Sequence, residues 1–160
     1  MSAQKLDRVL KCYRIGDPDG DYPIFDAQGS TLHPGRCNTT TCPMIYASEH
    51  YSIAMLEKLV NGSGHLPPNQ HYIEITIPNG LSYEVFNPAA VPDWYLPSAA
   101  SSKAFGSEWQ QQQRSVLLIV PSVVARLEKN FRMNPAHAEF AQIATTLHQP
   151  VWWDTRLFAA

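Results

Sequence analysis

The sequence predicts a mixed α+β fold, in which helices flank a small sheet of mixed or antiparallel strands. Residues 71–78 alternate apolar and polar side chains at the period of a strand, and residues 115–120 are almost entirely apolar, as in a buried strand. Between residues 49 and 60, apolar residues recur at helical spacing instead. A chain of 160 residues with this pattern is expected to form one domain over residues 1–160.

The N-terminal part of the chain predicts one strand followed by a long connection. Residues 9–15 have strand character, and the sequence GDPDG at residues 16–20 ends that strand in turns. Residues 21–43 are rich in Gly, Pro, Thr and Asn, and their few apolar residues show no periodicity. A long loop of this kind within a compact domain is usually functional.

A short strand and an amphipathic helix follow the loop. Residues 44–47 predict the strand, Ser48 is a suitable N-cap, and Asn61-Gly62 ends a helix over residues 49–60. Glu57 lies near the border of the apolar face of that helix. A carboxylate therefore stands beside the side chains that are expected to pack on the sheet.

Further strands and a second helix are predicted in the next part of the chain. Strand segments at residues 71–78 and 81–86 are separated by Asn79-Gly80, which is typical of a hairpin turn. Residues 101–113 predict the helix, and residues 115–120 the buried strand.

The C-terminal part predicts mostly irregular structure. Ser122 is placed to cap a helix beginning at Val123, and the Asn, Pro and His residues between 130 and 137 indicate a connection. Residues 138–147 are weakly helical in pattern, whereas residues 151–153 and 157–158 favour strands.

Composition excludes several classes of function. The net charge is −2, and there is no basic run to bind nucleic acid. The first residues lack the apolar segment of a signal peptide, and the longest apolar run, at residues 116–125, is far shorter than the roughly 20 residues that span a bilayer. We therefore expect a cytoplasmic protein with no direct contact to nucleic acid or membrane.

The three cysteines, Cys12, Cys37 and Cys42, are odd in number and predict reduced thiols rather than a disulfide framework. Cys37 and Cys42 with His33 invite a zinc interpretation. Their spacing differs from that of the usual zinc knuckle, and no second Cys/His pair follows at a familiar distance. We predict no metal site.

Two arginines are candidate ligands for phosphate. Arg36 follows Gly35 in a turn, and Arg14 lies within the first predicted strand. A guanidinium group can contact two phosphate oxygens at once. Both positions are equally compatible with solvent-exposed surface arginines, which is where most arginines lie.

Three further polar residues stand beside apolar elements. Tyr46 can pack on a flat ring, and Glu57 can stabilise positive charge that develops at a sugar carbon, as in cleavage of a glycosidic bond. The Ser122 hydroxyl can bond a phosphate or a carboxamide, and no Gly-x-Ser-x-Gly motif marks it as a nucleophile. An arginine, a tyrosine, a glutamate and a serine in these places suit an anionic, nucleotide-like ligand.

The order of these segments resembles the RES-domain family, which is named for its Arg, Glu and Ser. The resemblance extends from the Tyr13-Arg14-Ile15 segment nearly to the C-terminus. The separated motifs that carry it, in order, are Gly35-Arg36-x-Asn38, Ile45-Tyr46-Ala47-Ser48, Ala54-Met55-Leu56-Glu57, Gly106-Ser107-Glu108-Trp109, Val120-Pro121-Ser122, Asn130, Asn134-Pro135-x-His137 and Trp153-Asp154-x-Arg156-Leu157.

This resemblance implies a fold and an activity. The fold resembles that of the ADP-ribosyltransferase toxins, and the family supplies the toxins of bacterial toxin–antitoxin pairs whose antitoxin is Xre-like. The implied activity is cleavage of the nicotinamide–ribose bond of NAD+, with water or inorganic phosphate as acceptor. NAD+ is then a substrate, and no further cofactor is implied.

The family's functional residues carry over onto Arg36, Tyr46, Glu57 and Ser122, with Arg14 as an additional match. The resemblance implies that the arginines hold the pyrophosphate, that Tyr46 packs on the nicotinamide or its ribose, that Glu57 stabilises the sugar cation, and that Ser122 orients the nicotinamide side or a phosphate. Cys37 stands where the family commonly has Trp, so the local pocket shape is expected to differ.

The sequence is also compatible with two other functions. The same site can transfer ADP-ribose to a protein, because surface loops would choose that acceptor. Alternatively, the chain is a non-catalytic module that binds its antitoxin. Apolar surface near residues 87–109 is expected to serve the antitoxin contact or a homodimer.

Overall fold

The structure, a computed structural model, describes residues 3–158 and confirms the mixed α+β fold. Three 3₁₀ turns, at Pro88–Ala90, Phe140–Gln142 and Thr155–Leu157, supplement the main elements. The strands and helices are β1 (Gln4–Lys5), β2 (Leu10–Gly16), α1 (Gln28–Leu32), β3 (Ile45–Ser48), α2 (Tyr51–Asn61), β4 (His71–Ile77), β5 (Ser82–Val85), α3 (Ala100–Gln111), β6 (Leu117–Pro121), β7 (Lys129–Met133), β8 (Ala144–Thr145) and β9 (Gln149–Pro150).

The strands form one mixed sheet in the order β1-β5-β6-β7-β3-β2-β4-β8, and β9 also pairs with β4. Among the described strands only β5 and β6 run parallel; the other pairs are antiparallel. The neighbours β7, β3 and β2 lie at the centre of this order, and α2 packs against β2 and β3.

Two larger apolar clusters and a small one around Ile15 and Ala54 hold the sheet and helices together. The larger cluster is built on the central strands and includes Ile45, Ile75 and Leu117. The second lies around Trp109 of α3, which is fully buried and donates a hydrogen bond of 2.8 Å from Nε1 to the Ser115 hydroxyl. Burial of these side chains is the main favourable contribution to folding.

Helix α3 packs unusually close to the loop that carries Arg36. A Cβ atom at Gly106 would lie 1.9 Å from the carbonyl oxygen of Cys37, so only glycine fits there. The apolar helix face and this contact together fix the backbone of the loop next to the centre of the sheet.

The central strand β7 contradicts the predicted connection around residue 130. Asn and Arg disfavour a buried strand on the basis of propensity, but here their side chains lie on a polar face of the sheet and not in the apolar core. The hairpin prediction at Asn79-Gly80 is also wrong, because β4 pairs with β2 whereas β5 pairs with β1 and β6.

Local sequence signals misplaced the start of α2, and they predicted two helices and two strands that do not form. Helix α2 begins at Tyr51 without a side-chain cap, since the Ser48 hydroxyl bonds Asn130 instead. No helix begins at Val123, where the Ser122 hydroxyl closes a turn by accepting from the Ala125 N–H. Residues 138–147 form a 3₁₀ turn and β8 rather than a helix, and residues 151–153 and 157–158 are not strands, because pairing to β4 ends at Pro150.

Within residues 3–158 all three cysteines are free and buried. The loop predicted at residues 21–43 contains the short helix α1. No helix of the described chain has the length and apolar character needed to cross a membrane.

Gly106→Ala should lower the free energy of unfolding by about 2 kcal/mol, because a methyl group must push the Cys37 backbone away from α3. Chemical denaturation checks this value. Gly29→Ala in α1 is the matched control, since nothing lies within 4 Å of its added Cβ, and its stability should stay within about 0.5 kcal/mol. Equal stabilities of the two variants would contradict the close approach.

Candidate active site

A polar cavity of about 230 Å³ lies between α2 and the central strands β2, β3 and β7. Its lining combines four cationic side chains with a single carboxylate: Arg14, Arg36, Lys58, Arg132 and Glu57. Four of the five predicted site residues therefore line one cavity, namely Arg14, Arg36, Tyr46 and Glu57. Ser122 does not line it.

Strand register creates the floor of the cavity. Tyr46 lies opposite Arg132, and Ser48 lies opposite Asn130, in the antiparallel pair of β3 and β7. Because side chains two residues apart on a strand share a face, these four side chains form one polar patch on the sheet.

Glu57 reaches this patch from α2, and its orientation is held by hydrogen bonds. Its Oε1 atom accepts from the Ser122 hydroxyl at 2.7 Å and from the Asn130 amide at 3.1 Å. The side-chain oxygen Oδ1 of Asn130 in turn accepts from the Ser48 hydroxyl at 2.7 Å. Oε2 has no hydrogen-bond partner among the described residues and is available to a ligand.

Ser122 supports the carboxylate and is not open to a ligand. Its side chain is fully buried, donates to Glu57 and accepts from the Ala125 N–H at 3.1 Å. The hydroxyl is therefore occupied on both sides, which differs from the ligand contact expected from the sequence.

Arg14 is anchored to the backbone beside the cavity. Its Nε donates to the Ile24 carbonyl at 2.6 Å, and its Nη1 donates to the Tyr46 carbonyl at 2.8 Å. Burial lowers the pKa of Arg14, and it also lowers the pKa of Lys58, with the Arg14 charge acting in the same direction on Lys58. Burial thus disfavours the charged form of both side chains, and an anion bound in the cavity would stabilise that form.

Asn38 holds the loop that presents Arg36. Its Nδ2 donates to three carbonyl groups, and its Oδ1 accepts from the Gly35 N–H and from the Tyr46 hydroxyl. Arg36 itself donates from Nη1 to the Leu96 carbonyl at 2.7 Å. The guanidinium group thereby bridges the loop to the segment preceding α3.

The hydroxyl end of the Tyr46 ring is held by two hydrogen bonds. Its hydroxyl accepts from the Cys37 N–H at 3.1 Å and donates to Asn38, and burial raises its pKa above the usual range. A Cβ atom at Gly35 would lie 2.6 Å from the ring, so glycine is required for this close approach.

Sequence reasoning missed Arg132, and it gave Asn130 no contact. Arg132 is only 7% exposed, and its guanidinium carbon lies 4.3 Å from the centre of the Tyr46 ring. Residues 130–133 alternate polar and apolar side chains, as a strand does. This alternation could have predicted β7, but Asn130 alone was taken to indicate a loop.

A second, smaller cavity of about 40 Å³ adjoins the first and shares Arg36, Glu57, Asn130 and Arg132 with it. Its remaining walls are mostly apolar and aromatic, and include Phe86 and Trp94. Cys37, at the position where the family commonly has Trp, is buried and also lines this cavity. Glu57 therefore stands where a cationic compartment meets an aromatic one.

Asn38→Ala should lower the free energy of unfolding by about 3 kcal/mol, because it removes five hydrogen bonds and leaves buried backbone groups without partners. Thermal and chemical unfolding measure the loss, and hydrogen exchange should locate it in residues 35–42. The control is Thr40→Ala at an exposed position of the same loop. Equal protection of the loop in both variants would contradict this role.

Known proteins resemble this chain in sequence and in fold. The family model described as "RES domain" matches residues 11–154. The "Prs ADP-ribosylating toxin" of Sphingobium sp. (strain YBL2) is 36% identical over 152 residues, covering 91% of this chain and 94% of that protein. A "Toxin Res" of Photorhabdus laumondii is 30% identical over 126 residues, covering 77% of this chain and 80% of that protein.

A solved chain from the M. tuberculosis MbcT–MbcA toxin–antitoxin complex has the same fold, with a TM-score of 0.70 and 15% identity over 92% of this chain and 86% of that chain. The mixed sheet of this chain is thus arranged as in that solved chain. The motifs, the fold and the sequence similarity agree: the chain belongs to the RES domain family and to the toxin class that these relatives represent.

Proposed function

We propose that this protein cleaves the bond between nicotinamide and ribose in NAD+ and acts as the toxin of a toxin–antitoxin pair. The proposal rests on the position and hydrogen bonding of the Glu57 carboxylate. One carboxylate oxygen is held by Ser122 and Asn130, the other is available, and the group stands between a cationic and an aromatic cavity.

The larger cavity suits the pyrophosphate of NAD+. Arg14, Arg36, Lys58 and Arg132 supply positive charge around it, and Glu57 is the only carboxylate in its lining among residues 3–158. Guanidinium groups pair with phosphate oxygens through charge-assisted hydrogen bonds, which are stronger in a partly buried site than in water.

The smaller cavity, at about 40 Å³, does not hold a whole nicotinamide ring, but its aromatic walls suit one face of a ring placed at its mouth. Phe86 and Trp94 offer flat apolar faces, and the compartment opens beside Glu57. With the pyrophosphate in the larger cavity and the ring at the mouth of the smaller one, the ribose carbon that is attacked would lie next to the carboxylate, which lines both cavities.

In the proposed reaction, the bond between the ribose carbon and the ring nitrogen breaks, and its electron pair goes to the nitrogen. The ring is positively charged in NAD+, so nicotinamide leaves neutral and needs no general acid. Positive charge develops on the ribose, where the Glu57 carboxylate stabilises it, as carboxylates do in glycoside hydrolysis. Water, which releases one proton to solvent, or inorganic phosphate then bonds the sugar carbon.

Transfer to a protein is a second candidate, because a relative of 36% identity is named an ADP-ribosylating toxin. The same cleavage then ends with a protein side chain as acceptor. The solved relative belongs to a toxin–antitoxin complex, which supports a protein antitoxin as the partner here. The Xre type of that antitoxin and a homodimer remain proposals based on family resemblance.

Glu57→Gln should lower kcat for nicotinamide release by roughly 10²–10³-fold, because the amide keeps the size but loses the charge that stabilises the ribose cation. Chromatography of NAD+ and nicotinamide measures the effect. Glu108→Gln, at an exposed position outside both cavities, is the control and should retain wild-type turnover. Wild-type turnover in the Glu57 variant would refute the proposal.

The same assay identifies the acceptor. NAD+ loss that depends on inorganic phosphate indicates phosphorolysis, and loss without phosphate that yields ADP-ribose indicates hydrolysis. NAD+ labelled in its ADP-ribose part should be followed into protein in parallel. Label in protein without free ADP-ribose would select the second candidate.

Ser122→Ala should lower kcat about tenfold and leave KM nearly unchanged, because the carboxylate loses one of the two hydrogen bonds that orient it. Steady-state kinetics separates the two parameters. A raised KM with unchanged kcat would instead mean that Ser122 contacts the substrate, as the sequence suggested.

A further inference from the structure

Arg132 is a buried cation without an anionic partner. It is 7% exposed, and it forms no ion pair with a carboxylate among residues 3–158. Its Nε atom is buried without a hydrogen bond, and Nη1 has a bond of 3.5 Å to the carbonyl of the adjacent Phe131. Burial of a charge in this state is unfavourable.

The surroundings increase that cost. Arg14, Arg36 and Lys58 line the same cavity and repel Arg132, and the Glu57 carboxylate in that lining forms no ion pair with it. The stabilising contact is the Tyr46 ring, 4.3 Å from the guanidinium carbon. An aromatic face fixes the plane of a guanidinium group but does not use the directional hydrogen bonds of its edge.

The position of Arg132 identifies the missing partner. It lines both cavities, together with Glu57, so it stands at the junction where the ribose of NAD+ would lie. The phosphate attached to that ribose is the anionic group nearest to the bond that breaks. Arg14, by contrast, lines only the larger cavity and has two of its nitrogens bonded to carbonyl groups.

We propose that Arg132 is a substrate-binding residue for the phosphate on the nicotinamide side of NAD+, held in the required plane by Tyr46. The identity of the ligand rests on the proposed NAD+ cleavage; the binding of a diphosphate does not. Before ligand binds, Arg132 destabilises the folded protein, and the phosphate removes that penalty.

Arg132→Met tests this directly, because methionine fills similar space without charge. Unliganded Arg132→Met should unfold at a temperature roughly 2–4 °C above wild type, since the buried charge is gone. Its affinity for ADP, measured by calorimetry, should fall at least about tenfold, while KM for NAD+ rises more than kcat falls. Arg8→Met at an exposed position should match wild type in all three measurements.

A second variant keeps the inference testable if Arg132→Met does not fold. Arg132→Lys keeps the charge but loses the planar fork, so it should fold and bind ADP several-fold more weakly than wild type. Wild-type ADP affinity in both variants would overturn the inference, as would absence of ADP binding by the wild-type protein. An unfolding temperature that falls while ADP affinity is unchanged would assign Arg132 a purely structural role.

The experiments distinguish failure of the Arg132 assignment from failure of the proposed NAD+ cleavage. Nicotinamide release by wild-type protein, with unchanged ADP affinity in Arg132→Met, would retain NAD+ cleavage and remove the Arg132 assignment. ADP binding that depends on Arg132, without any nicotinamide release, would retain the anion site and remove the reaction.

Discussion

The chain of hydrogen bonds from Ser48 through Asn130 to Glu57 constrains which strands must be neighbours and where α2 must pack. It requires β3 and β7 to be neighbours in one register, and it requires α2 to pack against β2 and β3 so that Glu57 reaches Asn130. Since the segments involved are separated by 73 and 82 residues in the sequence, only a completed sheet can assemble them. The position of the carboxylate thus depends on the global fold.

The loop that carries Arg36 is held in place mainly by close backbone packing rather than by strand pairing. Gly35 allows the Tyr46 ring to approach, Gly106 allows α3 to contact Cys37, and Asn38 supplies five hydrogen bonds inside the loop. A segment with little regular structure is thereby made rigid. Rigidity of this kind reduces the entropy lost when a charged ligand is bound.

The concentration of positive charge in the cavity shows how a binding site opposes stability. Four cationic side chains surround one carboxylate, and burial lowers the pKa of two of them. Such an arrangement is unfavourable for the isolated protein and favourable for a complex with a diphosphate. An antitoxin that covers this cavity in the proposed pair would have to meet the same charges.

The amino-acid sequence by itself determined the fold class, most of the longer elements and the residues Arg36, Tyr46 and Glu57 that line the cavity. These follow from local signals, because periodicity, turn residues and ordered motifs are all read within short segments. The tertiary structure alone decided that β7 is a central strand, that Ser122 holds Glu57, and that Arg132 faces the site. Those facts depend on pairings across the sheet, where a polar face is compatible with a strand because it borders a cavity rather than the core.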